Sequence, residues 1–526
     1  MMNLDSQNPK KILGLVLIIV PIMGLLWYLR GLSMVHWFFY GLYVHVEVIF
    51  AVILSIVLTI GIVKYMTDDS TRGPQKTELS LMIFGALFVV LTLSFVMMGS
   101  VATQITVSND HMNFDEVDDM KQTASDDVRL LPRKVGDSYA QNRLQFERHK
   151  LSQGDITINE DESMSWTYNI EPEGLANSWS IHQAGAVTVD MTQTSANVET
   201  HEQEIVPGVG DFMGDNVFFE LRKENFRVDY KEDEAYVVNR NDNLYLAVPY
   251  VEHQMETRFP FPFPFTTPHE GGIALVNGET GEIEYVDVDD VQEHEILEDQ
   301  RAVSYDITKY YVDSMKYKNG IINAWFFNEG VPEVASSPGD GNEQPYLVRT
   351  EDRELTLLVA AEPAGDASGI YQTYYQNAQT GDWERHSSDR NDAMLGPIRA
   401  TDYVQAQAPT VDWDEFTPVE PLPIIRDDGL FWMTRVIPES GGGVSYIAFV
   451  DAETNEVIPV ADDATARAFI AGDIAQGDDI EDIGTDPITD DGEAQPRQTT
   501  ITIVQEDGST EEIELEDGEQ IVIENE

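Results

Sequence analysis

Apolar and polar positions follow two different rules on either side of residue 102. Before it, apolar residues come in long runs: Ile12–Leu29, Trp37–Val63 and Leu79–Val101. The third, LSLMIFGALFVVLTLSFVMMGSV, holds no charge. About 20 such residues cross a bilayer as a helix. The pattern predicts a transmembrane anchor over 1–102, with spans at about 12–29, 37–63 and 79–101. The first run continues into Trp27–Tyr28 without a small-residue cleavage site, so it reads as a retained helix and not a signal peptide. Trp37, Phe38, Phe39, Tyr40 and Tyr43 form an aromatic belt. Lys10, Lys11, Lys64, Arg72 and Lys76 fall on one side and Arg30 on the other, which puts the N-terminus in the cytoplasm and the C-terminal mass outside.

After residue 102 the period shortens. Thr103–Asp127 is polar and acidic and reads as a stalk, and 128–150 has amphipathic helical character, so 103–154 is stalk plus helix. Beyond Gly154 the pattern is β. Four units share a plan: a strand ending in proline, a loop ending in glycine, then a returning strand. They begin at Ser165, Leu244, Leu355 and Leu430 and return at Gly185, Gly272, Gly369 and Gly443. Two units fall in 155–300 and two in 301–472. The stretch 473–498 is acidic and nearly free of aromatics, a disordered linker by composition. In 499–526, Asp507-Gly508 and Asp517-Gly518 separate alternating runs, which predicts a small three-stranded meander that docks on its own ectodomain or adds a strand to another molecule's sheet edge, the alternative being a disordered acidic tail. The fold class expected is α+β: a three-helix anchor, then a β-rich ectodomain of repeated hairpin units with short helices.

Three returning strands end in a tight turn: Asn277-Gly278-Glu279-Thr280-Gly281-Glu282, Asn377-Ala378-Gln379-Thr380-Gly381-Asp382 and Asp451-Ala452-Glu453-Thr454-Asn455-Glu456. Gly or Asn at the fifth position suits a positive φ. This strand–Asn/Asp–x–x–Thr–Gly–Glu–strand pattern resembles the PepSY-type domain, over the hairpins. The resemblance implies an extracytoplasmic module of a kind associated with regulating peptidases. The spacing between units is unequal and no protease domain accompanies them. The layout as a whole also resembles membrane proteins of halophilic archaea and their mobile elements.

Charge sharpens this picture. The net charge is −61, and the first 102 residues, with five acidic and six basic side chains, contribute none of the excess. So acidic an ectodomain repels itself unless salt screens it, and it reads as a halophile's. Nucleic acid is excluded as a partner for want of a basic patch. The absence of cysteine removes disulfides, thiolate zinc sites and a cysteine nucleophile.

Chemistry is sparse. No nucleophile elbow, HExxH, P-loop, GxGxxG or EF-hand loop occurs, so no catalytic, cofactor-binding or metal-binding residues are assigned, no cofactor is expected and the chain reads as non-enzymatic. The acidic runs Asp287–Asp290 and Gly339–Glu343 lack calcium-loop spacing and read as solvated surface. His182, His201, His253 and His386 are expected to cap or pack. Two features stand out. His45 and Glu47 are ionisable groups inside the second apolar run, a functional signal by default; two apart on a helix, they should face different ways, and close to the aromatic belt they either sit at the interface or pack helices, or handle protons or ions. Phe259, Phe261, Phe263 and Phe265 alternate with Pro260, Pro262 and Pro264 in a long insertion between Pro249 and Gly271, held extended by proline. They either fill the gap between two domains or contact a partner or membrane surface. The expected function is a membrane-anchored structural or interaction protein of a halophile envelope, cellular or viral. Its partners would be the lipid bilayer and another protein or a second copy. The alternative is an accessory subunit of a transport or secretion assembly that uses His45 and Glu47.

Overall fold

The structure is a computed structural model that describes residues 20–66, 74–338, 343–365, 369–388, 394–474, 499–504 and 510–515. It is mixed α+β and divides into two compact units, Met1–Ile483 and Gly484–Glu526.

The larger unit opens with a helical stretch over 20–28, then α1 (Ser33–Val44), α2 (Val46–Met66) and α3 (Pro74–Thr106). Among the described residues, Val46–Lys64 and Met82–His111 are long and apolar enough to cross a membrane. The first part of the first expected span, 12–19, lies outside the described residues, as do Lys10, Lys11 and Arg72. The second expected span, 37–63, is not one helix. It breaks at His45, whose φ of −102° and ψ of 57° are not helical. Around this break, α1 and the stretch before it are held by the second sheet and the segment that precedes it. Tyr43 donates to the His253 carbonyl at 2.7 Å, Arg222 donates to Ser33 Oγ at 2.9 Å, and Trp27 and Phe39 set their rings edge-on to Phe226.

The expected stalk is built into the fold. α3 continues past residue 102 into a π turn, Val107–His111, and Ala102, Val107, Met112, Ala124, Val128, Leu130 and Leu131 are all buried. Phe114–Val117 pairs in parallel with Trp383–Ser387 at a sheet edge. The acidic side chains that made this stretch look like a tether, such as Asp115, Glu116, Asp118 and Asp119, point outward. Arg133–Arg143 forms the amphipathic helix expected there.

Four larger sheets follow, antiparallel except for the parallel Phe114–Val117 edge of the third, and from each central strand onward the pairing follows sequence order. In the first, Met164–Pro172 is flanked on one side by His149–Leu151 and Asp155–Ile158 and on the other by Gln183–Asp190, then Val198–Ile205. In the second, Asn243–Glu256 takes the centre, with Asp229–Tyr230 and Tyr236–Arg240 on one side and Phe265–Asn277, then Ile283–Asp287, on the other. The third centres on Leu355–Pro363, between Pro332–Val334 with Tyr346–Arg349 and Gln372–Asn377 with Trp383–Ser387. The fourth runs Phe416–Arg426, Gly429–Pro438, Tyr446–Asp451, Val457–Val460.

The three tight turns are alike. The Asn277, Asn377 or Asp451 side chain accepts from the backbone N–H groups two and three residues on, at 2.7–3.1 Å, and the fifth position has φ of +70°, +80° or +63°. One leading strand departs from the expected plan. Pro249 does not end it; the strand runs on to Glu256, and Pro249 pairs with Ile273. A proline is tolerated here because the neighbouring strand is itself interrupted between Tyr230 and Tyr236, so no ladder bond is lost.

Buried apolar side chains of the first and third sheets share one core, which takes in Trp166, Tyr168, Leu357 and Tyr374. The third and fourth share another, around Trp432, Phe431, Phe449 and Phe469. In the smaller unit, Thr499–Val504 pairs antiparallel with Thr510–Leu515, as the alternation predicts. The expected third strand, Gln520–Ile523, and most of the linker lie outside the described residues.

Candidate functional site

The two features singled out in the sequence meet at one place, the seam between the apolar helices and the second sheet. α2 starts where α3 ends: Glu47 lies against Gly99, where an added Cβ would come within 3.0 Å of the carboxylate. Glycine is what lets a carboxylate fit between the two helices. Because the helix breaks at His45, residues two apart no longer face different ways. His45 Nδ1 sits 3.0 Å from Glu47 Oε1, which corrects the expectation that the pair would diverge. Glu47 is 2% exposed, and its Oε2 has no hydrogen-bond partner among the described residues.

The sheet reaches this point through its long hairpin, Asn243–Glu256 and Phe265–Asn277. Thr103 Oγ1 donates to the Thr266 carbonyl at 2.7 Å, and Thr266 Oγ1 donates to the Val44 carbonyl at 2.8 Å. Val44 ends α1, so Thr266 supplies a donor to a carbonyl at a helix end. A cavity of about 530 Å³ opens beside these bonds. His45, Glu47, Thr103, Asp229, Lys231, His253, Phe265 and Asp313 line part of its wall. Lys231 bridges Asp229 at 2.9 Å and Asp306 at 3.0 Å. Burial opposes its charge, but the two carboxylates outweigh that and hold the ammonium above the ordinary lysine range. Burial raises the Asp313 carboxyl. The cavity therefore sets partly desolvated charges of both signs at the polar end of two apolar helices, suited to holding water, ions or a polar headgroup.

The four phenylalanines do not share a role. Phe265 (1% exposed) lines the cavity and Phe263 (3%) stacks on Phe95 of α3 at 4.7 Å between centroids. Phe261 is half-buried, 6.0 Å from the Phe265 ring, and Phe259 is 94% exposed. Nor is the stretch extended. Phe261 N–H donates to the Arg258 carbonyl at 2.8 Å, closing a turn. The strand pairing, which runs out to Phe265 opposite Glu256, requires a reversal that overrides the proline preference.

His253 lines the cavity. His182 meets the buried Asp211 at 3.0 Å, His201 meets Thr188 at 3.1 Å and His386 lies 3.3 Å from the Val117 carbonyl. No three His, Asp or Glu side chains among the described residues come together as a metal site. Asp287 caps a short helix, Val288–Glu293, and 339–342 of the other acidic run lie outside the described residues.

Burial pushes the His253 and His269 rings down to about 4. For His253, Asp229 works against burial while Lys231, His269 and His45 add to it; for His269, His111 adds to it. Both rings stay neutral in the fold down to about pH 4, whereas an unfolded chain protonates them near 6.5. Their contribution to stability is present above pH 6.5 and is lost as pH falls from 6.5 towards 4. A His253→Gln/His269→Gln variant should therefore show a shallower fall in Tm between pH 7 and pH 4 than the wild type; parallel curves would refute the assignment. Compared with protein-family models and with curated proteins, the chain matches none of either.

Proposed function

We propose that this protein is a membrane-anchored extracytoplasmic structural and interaction protein of a halophile envelope, cellular or viral. In this reading three apolar segments cross the bilayer, with the N-terminus in the cytoplasm, and four copies of one PepSY-like meander form the ectodomain. The observation that carries it is the seam. Buried hydrogen bonds from Thr103 and Thr266, with Tyr43 on His253, fix the second sheet to the helix ends, as suits a platform and not a tethered module. The repeat reading is supported by the common strand order and by the three like turns. It is supported too by Gly185 and Gly272, which stand at equivalent strand irregularities with φ of +129° and +128°. The exposed acidic side chains of 115–119 and the net charge of −61 support the halophile setting.

A second reading, an accessory subunit of a transport or secretion assembly, is favoured by one observation, the Glu47 oxygen beside His45 in the cavity that has no hydrogen-bond partner among the described residues. One experiment separates the two. Intact cells carrying either wild type or a His45→Ala/Glu47→Ala variant are treated with external protease, and the untreated complexes are sized in mild detergent. The platform reading expects removal of the ectodomain and the same assembly for both proteins. An ectodomain fully protected in accessible cells would refute the orientation. Normal assembly with lost transport in the variant would favour the second reading.

A further inference from the structure

The long hairpin of the second sheet does not stop at the seam. Three contacts trace its second strand along α3 and the turn that follows it. The His269 ring meets the His111 ring at 4.5 Å, Thr266 receives the Thr103 hydroxyl at 2.7 Å, and Phe263 stacks on Phe95 at 4.7 Å. Each step covers three strand residues, about 10 Å at ~3.3 Å each, and eight helical residues, about 12 Å at ~1.5 Å each. Strand and helix therefore run side by side, and the strand descends towards the apolar part of α3. Glu47 against Gly99 marks the polar end of that part. Phe95 lies four residues further in, about 6 Å by the helix rise, on a helix that leaves Val89, Val90, Leu93 and Met97 exposed.

The turn between the strands is chemically unusual for a water-facing loop. From Phe259 to Phe265 it carries no charge. Pro260, Pro262 and Pro264 have no N–H to desolvate, and the Phe261 N–H is already bonded to Arg258. Phe259 is almost wholly exposed. Arg258, at the edge of the turn, pairs with Asp110 beyond the end of α3, so its charge is directed to the polar side while the aromatic rings are not.

We propose that the turn 259–263 is a lipid-inserted foot, seated at the headgroup–acyl boundary of the leaflet on the ectodomain side. The proposal rests on the reading that α2 and α3 cross the bilayer. The foot holds the second sheet at a set height over the membrane, and its partner is lipid and not another protein.

The chain has no cysteine, so single nitroxide labels can be placed without background. Full-length protein carrying Phe259→Cys or Pro262→Cys, both at exposed positions, would be reconstituted in phosphatidylcholine/phosphatidylglycerol nanodiscs. Val90→Cys on α3 and Glu453→Cys in an exposed turn serve as references. Collision of each label with oxygen and with a water-soluble nickel chelate would be measured by electron paramagnetic resonance. Expected is a several-fold excess of oxygen over nickel collisions at 259 and 262, of the same sign as at 90 and opposite to 453. Lipid at 90 with water at both 259 and 262 would overturn the foot and leave the anchor standing, with the aromatic surface then open to a protein partner. Water at 90 would overturn the anchor and the foot with it.

Discussion

Replacing Arg301 by methionine should cost about 3–5 kcal/mol, the scale of breaking a buried ion pair from one side. Arg301 is 1% exposed and holds Asp155 at 2.7 Å and Glu234 at 2.8 Å. Glu234 in turn accepts from Ser304 Oγ at 2.8 Å and from the Tyr305 N–H at 3.1 Å, and Tyr236 donates to the Arg301 carbonyl at 2.5 Å. The cluster thus ties the first sheet (Asp155), the second (Tyr236) and the helix Tyr305–Ser314 at one residue, its guanidinium holding the two carboxylates and its carbonyl taking the Tyr236 hydroxyl. Without it two carboxylates stay buried and unpaired. Burial already raises the Glu234 carboxyl against the pull of Arg301. In the variant, the Glu234 carboxyl should take up a proton in the folded state more readily than in the unfolded one, so the loss should shrink as pH is lowered from 7 towards 5. Denaturant unfolding at the two pH values would show this. A loss of under about 1 kcal/mol, the scale of an exposed pair, would mean the cluster is not the joint described. Adding Asp155→Leu and Glu234→Leu to Arg301→Met should restore much of the loss, since an apolar replacement of a whole buried cluster is often near neutral.

The second large effect is expected at Trp432→Ala, also about 3–5 kcal/mol. The indole is fully buried, donates to the Leu395 carbonyl at 2.7 Å and meets the Tyr346 ring edge-on at 6.2 Å. Truncation opens a cavity and strands a buried carbonyl acceptor. Tyr346 belongs to the third sheet and Trp432 to the fourth, so both sheets should loosen together. Hydrogen exchange should rise in Leu355–Pro363 as well as in Gly429–Pro438. Faster exchange confined to Gly429–Pro438 would show that the fourth sheet is an independent module.

What could be read from the chain alone was what local chemistry decides. The tight turns at Asn277, Asn377 and Asp451 are specified by a side chain capping its own turn and by a fifth residue able to take positive φ, and all three form. The plan of a strand ending in proline and a loop ending in glycine located the central strand of each of the four larger sheets. What was not legible depends on residues far apart in sequence. The break at His45 stands two residues from Tyr43, which bonds a carbonyl 210 residues away, and hydropathy carries no trace of that contact. The meeting of His45 and Glu47 follows from that break. Composition misled at 103–127, where exposed acids mask buried apolar positions. Arg301, one basic residue in an acidic stretch, gave no hint that it would be among the most buried side chains. The Phe/Pro insertion was noticed, but its division into a cavity wall, a helix contact and an exposed tip needed the register of the hairpin.

The seam has a mechanical meaning. Thr266 is gripped from two directions, by the Thr103 hydroxyl on its carbonyl and through its own hydroxyl on Val44. It acts as a clevis pin between one long rod, α3, and the end of another helix. Sliding α3 along its axis by a turn would have to shear the Thr103 bond, unstack Phe263 from Phe95 and part His269 from His111 together. Small axial loads on the rod are therefore delivered to the second sheet whole, and through Arg301 to the first.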